Sequence, residues 1–272
     1  MLQLSVNQLS TSRWSFEEDV IHYAEAGFTA MGVWYPKLAR YGEEKGRELL
    51  REYNLDISSL SLISGLTSSQ GVTFRQCIVE ALDVIQLAAD LGAKTVVVVA
   101  GSRNGHTRNH AMRILRSALK LLAEAAEAVG VQLALEPTHI GCTSDSFLNT
   151  ISQCLDVITE IDSPNMGINF DVYHVAQDTS VLSWIDDIAP LVRLVQLSDA
   201  KVAPLGQQNR CMLGHGRLPL GDMIQSFQRM GYSGYYEIEL QGASIEQLDY
   251  RHLLSESRRT TGQWQSLHGS KT

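Results

Sequence analysis

The chain alternates short, strongly apolar runs with longer stretches whose apolar residues recur every three or four positions. The short runs fall at 2–9, 30–35, 57–63, 94–100, 131–136, 165–170, 193–197 and 235–240, and they predict eight strands. Val96-Val97-Val98-Val99 in the fourth run is apolar on both faces, as suits a parallel strand covered by helices. The longer stretches predict helices at 15–26, 43–53, 75–91, 109–129, 147–161, 184–191 and 220–230, and from 245 to about 258. Their ends carry signals: Ser15 caps the first helix, and Gly27, Gly92 and Gly130 follow helix ends.

Eight strand–helix units in about 260 residues predict a (β/α)8 TIM barrel, one α/β domain over 1–259 with a polar tail over 260–272. An open doubly wound sheet would need fewer strands and a Gly-rich phosphate turn after the first; neither GxGxxG nor GxxxxGKS/T occurs. In a barrel the chemistry sits at the C-terminal strand ends. Four of the predicted strands end on oxygen-bearing side chains: Glu136, Asp171, Gln196 and Glu239. An Asp after a strand is commonly a turn or cap residue, but four consecutive strands ending this way are hard to explain as caps.

Composition narrows the partners. A 44% hydrophobic and 19% charged chain is globular. A net charge of −8 repels a phosphate backbone, so no nucleic-acid partner is expected. Arg103, Arg108, Arg113 and Arg116 make no basic patch, because the last three are spaced as on an ordinary helix surface. Cys77, Cys142, Cys154 and Cys211 contain no CxxC pair, which argues against a disulfide framework and a thiolate zinc site. Cys142 and Cys211 also lack a Cys–His–acid pattern. No apolar run reaches the roughly 18–20 residues that span a bilayer, and no secretory signal opens the chain. The expectation is a cytoplasmic protein with no membrane partner.

Two or three carboxylates and an amide oxygen form a hard donor set. It suits one divalent ion, Mn²⁺ first, or Mg²⁺ or Co²⁺, better than Zn²⁺. Such an ion stabilises negative charge on an enediolate oxygen, while a neighbouring carboxylate removes the α-proton. Epimerisation needs two bases on opposite faces.

The strand ending at Glu136, Phe170-Asp171-Val172-Tyr173-His174, Val195-Gln196-Leu197-Ser198-Asp199, Leu213-Gly214-His215-Gly216-Arg217 and the run from Gly231 to Glu239 together resemble the xylose isomerase-like barrel superfamily. That group includes sugar phosphate isomerases/epimerases, ketose 3-epimerases, hydroxypyruvate isomerase, inosose isomerases and dehydratases, and endonuclease IV. The resemblance covers nearly the whole chain and is most specific over 131–240. It implies a metal shell of Glu136, Asp171, Gln196 and Glu239, with Glu136 and Glu239 also acting as the acid/base pair. Most members have His where this chain has Gln196; hydroxypyruvate isomerase-like members share the Gln. Glu237 lies on the same strand face as Glu239, and the family spacing selects Glu239.

The resemblance also directs His174 at the substrate, and Arg210 or Arg217 at a substrate oxygen or phosphate; each has the bland alternative of a loop or surface residue. Trp34 and Tyr35 could wall a sugar or pack in the core. His106, in the loop after the fourth strand, is a substrate-contact candidate or an ordinary polar residue. His139 could hydrogen-bond substrate, and Asp199 could orient the loops or start a turn. The expected activity is metal-dependent isomerisation or epimerisation beside the carbonyl of a small sugar or keto-sugar. Oligomers are common in the superfamily, so a homo-oligomer is possible. The same chemistry could serve a lyase of the inosose- or dehydroshikimate-dehydratase type, or one that eliminates the β-linked group of a 3-keto-glycoside. Endonuclease IV-like repair fits poorly with the acidic charge and Gln196. A non-catalytic sugar-binding or scaffold barrel is the alternative outside enzymes.

Overall fold

Eight parallel strands close on themselves in the computed structural model, which describes residues 2–68, 71–142, 146–178, 180–206 and 208–266. They are β1 (Gln3–Asn7), β2 (Ala30–Trp34), β3 (Asp56–Ile63), β4 (Thr95–Val99), β5 (Gln132–Glu136), β6 (Met166–Asp171), β7 (Val192–Leu197) and β8 (Tyr235–Ile238). Each pairs with its neighbours in chain order, and β8 closes onto β1 with Gln3 opposite Tyr235 and Val6 opposite Ile238. This is a single (β/α)8 barrel.

Alternation along the strands divides the barrel into two chemistries. Val96, Val98, Leu133, Leu135, Ile168, Phe170, Tyr236 and Ile238 belong to the continuous apolar core shared with the helices. The alternate positions include Asn7, Asn169, Gln196 and Glu237, all buried and hydrogen-bonded to one another. The barrel interior is therefore a polar network rather than a second oily core.

The helices differ from the predicted ones at identifiable points. An extra helix, Tyr35–Tyr41, carries Pro36 in its first turn, where the missing N–H costs nothing, and stops at Gly42 with φ +105°. The helix expected at 147–161 begins at Ile151, because Thr150 caps it and residues 147–148 are engaged with other loops: Phe147 N–H donates to Gly101 and Leu148 C=O accepts from Thr138. Val181–Ile188 replaces 184–191, with Pro190 confined to a following 3₁₀ turn. The final helix, Tyr250–Ser266, runs past the boundary expected at 259. Its amphipathic face continues, burying Thr260 and Thr261, and the Thr261 hydroxyl donates to Ser257 C=O. Residues 267–272 of the expected tail lie outside the described residues. Among the described residues no helix is long and apolar enough to cross a membrane.

Candidate active site

The four strand-end residues converge on one mouth of the barrel. Glu136 and Asp171 are the last residues of β5 and β6, Gln196 is next to last in β7, and Glu239 follows β8 directly. All four are buried, and Asp171 and Gln196 are partners in register. Glu136, Gln196 and Glu239 line a cavity of about 550 Å³ together with Trp34, His174 and Arg210.

Asp171 has two tasks. Its Oδ1 accepts from Tyr173 N–H at 2.9 Å and so caps the one-turn helix Val172–Val175. Its carboxylate also takes a forked pair from Arg210, with Nη2 to Oδ2 at 2.8 Å and Nη1 to Oδ1 at 3.3 Å. Arg210 Nη2 lies 3.2 Å from Glu239 Oε1, and its Nη1 donates to the Glu239 C=O at 3.1 Å. The guanidinium carbon stands 4.6 Å from the Tyr173 ring centroid, so an aromatic face covers the buried cation. A two-residue antiparallel ladder, Asp199–Ala200 with Arg210–Cys211, folds Arg210 inward, whereas Arg217 is exposed. Periodicity does not reveal so short a ladder. Of the two arginines considered from the sequence, the structure brings Arg210 to the site.

His174 faces the same carboxylates, with Nε2 3.5 Å from Glu136 Oε1 and 3.7 Å from Asp171 Oδ2. Its Nδ1 accepts from the His139 backbone N–H at 3.2 Å, which assigns the proton of the neutral ring to Nε2. Glu136, Asp171 and His174 each offer a ligand atom within 4.8 Å of one another, a spacing that could hold a metal ion. The Nε2 proton makes His174 a donor in this arrangement and leaves the ion to the carboxylates.

Asn169 and Glu237 were not singled out from the sequence. Asn169 Nδ2 donates to Glu136 Oε2 at 2.8 Å and to Gln196 Oε1 at 2.6 Å. Gln196 Nε2 then donates to Glu239 Oε2 at 2.5 Å and to Glu237 Oε1 at 3.0 Å. An unbroken chain of amides therefore joins Glu136 to Glu239, and the Gln196 carbonyl oxygen points at Asn169. Glu237 accepts three further bonds, from Asn7 at 2.8 Å, Ser58 at 2.6 Å and Ser59 at 2.7 Å. Two consecutive serines reach it because the β2–β3 register shifts between Met31 and Gly32, a bulge that turns both hydroxyls inward. Glu237 thus anchors the layer below the site, and Glu239 is the carboxylate at the cavity. The available signal was the two-residue spacing: Asn169 stands two before Asp171, and Glu237 two before Glu239.

Burial, with the charges of Asp171 and Glu239 beside it, pushes the Glu136 carboxyl well above the ordinary carboxylate range. Burial also raises Glu239, against the pull of Arg210. Three carboxylates face one guanidinium, so a divalent cation would balance the set. Its oxygen donors and excess negative charge fit such an ion.

The remaining candidates divide. Trp34 lines the cavity, its N–H held by Gln8 Oε1 at 2.9 Å, while Tyr35 lines a separate groove. His106 is turned away from the cavity. Asn104 (φ 48°) and Gly105 (φ +81°) reverse the chain there, sending Asn104 inward and placing His106 4.8 Å from the His110 ring. Asp199 is buried and accepts from the N–H groups of Gly214, Gly216 and Leu218 at 2.9–3.1 Å, so it pins the loop after β7.

Residues 21–260 match the sequence family of xylose isomerase-like TIM barrels. An inosose isomerase of Halalkalibacterium halodurans is 26% identical over 202 residues, covering 72% of this chain and 70% of that protein. A ketose 3-epimerase of Arthrobacter globiformis is 28% identical over 153 residues, covering 56% of this chain and 47% of that protein. The IolI protein, solved with a bound zinc atom, superposes with a TM-score of 0.85 at 19% identity, covering 98% of this chain and 99% of that chain, and so shares the fold.

Proposed function

This chain belongs to the xylose isomerase-like TIM barrel family, and from that premise we propose that it is a divalent-metal-dependent isomerase or epimerase of a small sugar or keto-sugar. The observation that carries the reading is the pair Glu136 and Glu239: two buried carboxyls in one cavity, joined through Asn169 and Gln196. The relatives' names support it, being an inosose isomerase and a ketose 3-epimerase.

Glu136, Asp171 and Glu239 would hold the ion, with Gln196 as the amide of the set. When bound, the ion would supply positive charge opposite the oxygen of an enediolate. Oxygen donors favour Mn²⁺, Mg²⁺ or Co²⁺ over Zn²⁺, and elemental analysis of the purified protein tests that order.

One glutamate takes the proton from the carbon beside the carbonyl and the other returns it. Burial suits both to the task, since a carboxyl with raised proton affinity is a better base. His174 offers its Nε2 proton to a substrate oxygen, and Arg210 keeps Asp171 and Glu239 in place. Trp34 supplies an aromatic wall for the sugar ring.

The test is proton NMR in D₂O with metal-loaded protein and a panel of ketoses, inososes and 3-keto-glycosides, beside a metal-free control. Deuterium should enter at one carbon, and Glu136→Gln or Glu239→Gln should suppress it. Unchanged turnover in both variants would overturn the assignment. An eliminated group among the products would make the protein a lyase instead.

A further inference from the structure

A second cavity, of about 620 Å³, lies at the same mouth of the barrel, and His174 is common to its lining and that of the carboxylate cavity. Its walls come from the loops after β5 and β6 and from the helices Ile151–Ile161 and Val181–Ile188. Their chemistry differs from that of the carboxylate cavity. Ile140, Ile151, Val175, Val181 and Trp184 provide apolar surface. Ile140 is 65% exposed and Trp184 38% exposed, two large apolar side chains left open to solvent on one depression. Large apolar groups gathered around a concavity mark a binding surface more often than chance exposure does.

One polar group is also unspent. The amide nitrogen of Gln177, in the same wall, is buried with no hydrogen-bond partner among the described residues. A buried donor without an acceptor is costly, and a ligand oxygen would satisfy it.

We propose that this cavity is a subsite for an aromatic substituent: the keto-sugar substrate carries an aryl group, which lies against Trp184 and Ile140 while the sugar occupies the carboxylate cavity. Indole surface suits an aromatic ring, and the Gln177 amide suits an oxygen on that ring or in its linkage. The shared His174 makes one cavity continuous with the next, so a single conjugate fills both. The inference rests on the sugar reading of the carboxylate cavity and adds the class of substrate: aryl glycosides and other aryl-substituted keto-sugars rather than free monosaccharides.

The test compares two non-reacting probes, phenyl β-D-glucopyranoside and methyl β-D-glucopyranoside, titrated into metal-loaded protein and followed by saturation-transfer NMR. Burying the phenyl group should tighten binding about tenfold or more. Trp184→Ala should erase that advantage and leave deuterium exchange on unsubstituted ketoses unchanged. Trp184 is partly exposed, so its truncation should not unfold the chain, and circular dichroism checks this. Equal binding of the two probes, detectable or not, overturns the subsite, as does an advantage that survives Trp184→Ala. The two readings fail separately. Exchange on free ketoses without a phenyl advantage removes the subsite alone. A Trp184-dependent phenyl advantage without exchange on any panel member removes the isomerase reading alone.

Discussion

Glu237 occupies the space that a side chain at Gly32 would need: a Cβ there would lie 2.5 Å from Glu237 Oε2 and 2.7 Å from its Cδ. Gly32 has no positive φ to justify it, so the close approach is its reason. Gly32→Ala should destabilise the fold by about 1–3 kcal/mol, the usual cost of overpacking. It should also lower turnover, because Glu237 holds Gln196 and Gln196 holds Glu239. Thermal denaturation and the deuterium-exchange assay measure both effects; a variant with wild-type stability and turnover would remove this role from Glu237.

Ser10 supports Glu239 from the other side. Its hydroxyl donates to Ile238 C=O at 3.1 Å and accepts from Leu240 N–H at 2.9 Å, the two backbone groups flanking Glu239. Ser10→Ala leaves both buried groups without this partner, at a cost of about 1–3 kcal/mol. Chemical denaturation should show the loss, and kcat should fall more than KM rises. Ser10→Thr keeps the hydroxyl and should recover part of both.

A buried ion pair, Asp19 with Lys37 at 2.7 Å, fastens the turn after β1 beneath Trp34. Burial raises the Asp19 carboxyl to about 6, against the pull of Lys37, Thr11 and Gln8. A carboxyl raised on folding contributes stability that is complete below its unfolded value, near pH 4, and is lost as pH rises through about 6. The stability of the native protein relative to Asp19→Asn should therefore fall between pH 4 and 7, by about 3 kcal/mol. Urea unfolding of both proteins across that range measures it; a flat difference would contradict the shift.

Lys37 should not tolerate loss of its charge while Asp19 remains. Lys37→Met leaves a buried carboxylate unpaired and should cost about 3–5 kcal/mol. The double variant with Asp19→Leu should be more stable than Lys37→Met alone, as urea midpoints would show.

Chelation should lower the melting temperature, and Mn²⁺ should restore it, by about 2.7 kcal/mol when the ion stands at one hundred times its Kd. Asp171→Asn should blunt that response. A melting curve indifferent to chelator and to Mn²⁺ would count against an ion at the carboxylate cluster.

The sequence by itself determined the eight strand–helix units, because the two periods that distinguish strand from helix are local properties of the chain. It also determined that Glu136, Asp171, Gln196 and Glu239 stand at strand ends, which in a closed barrel means one mouth. Tertiary structure alone decided what these groups touch. Glu237 is satisfied by Asn7, Ser58 and Ser59, residues about 180 to 230 positions away that only barrel closure brings within 3 Å. The choice of Arg210 over Arg217 depended on a two-residue ladder too short to leave a pattern, and the rejection of His106 on a single turn at Asn104 and Gly105. Periodicity reports which face of an element is apolar. It does not report which distant donor completes a buried acceptor, because that is a property of through-space distance, and distance is set only once the strands have closed.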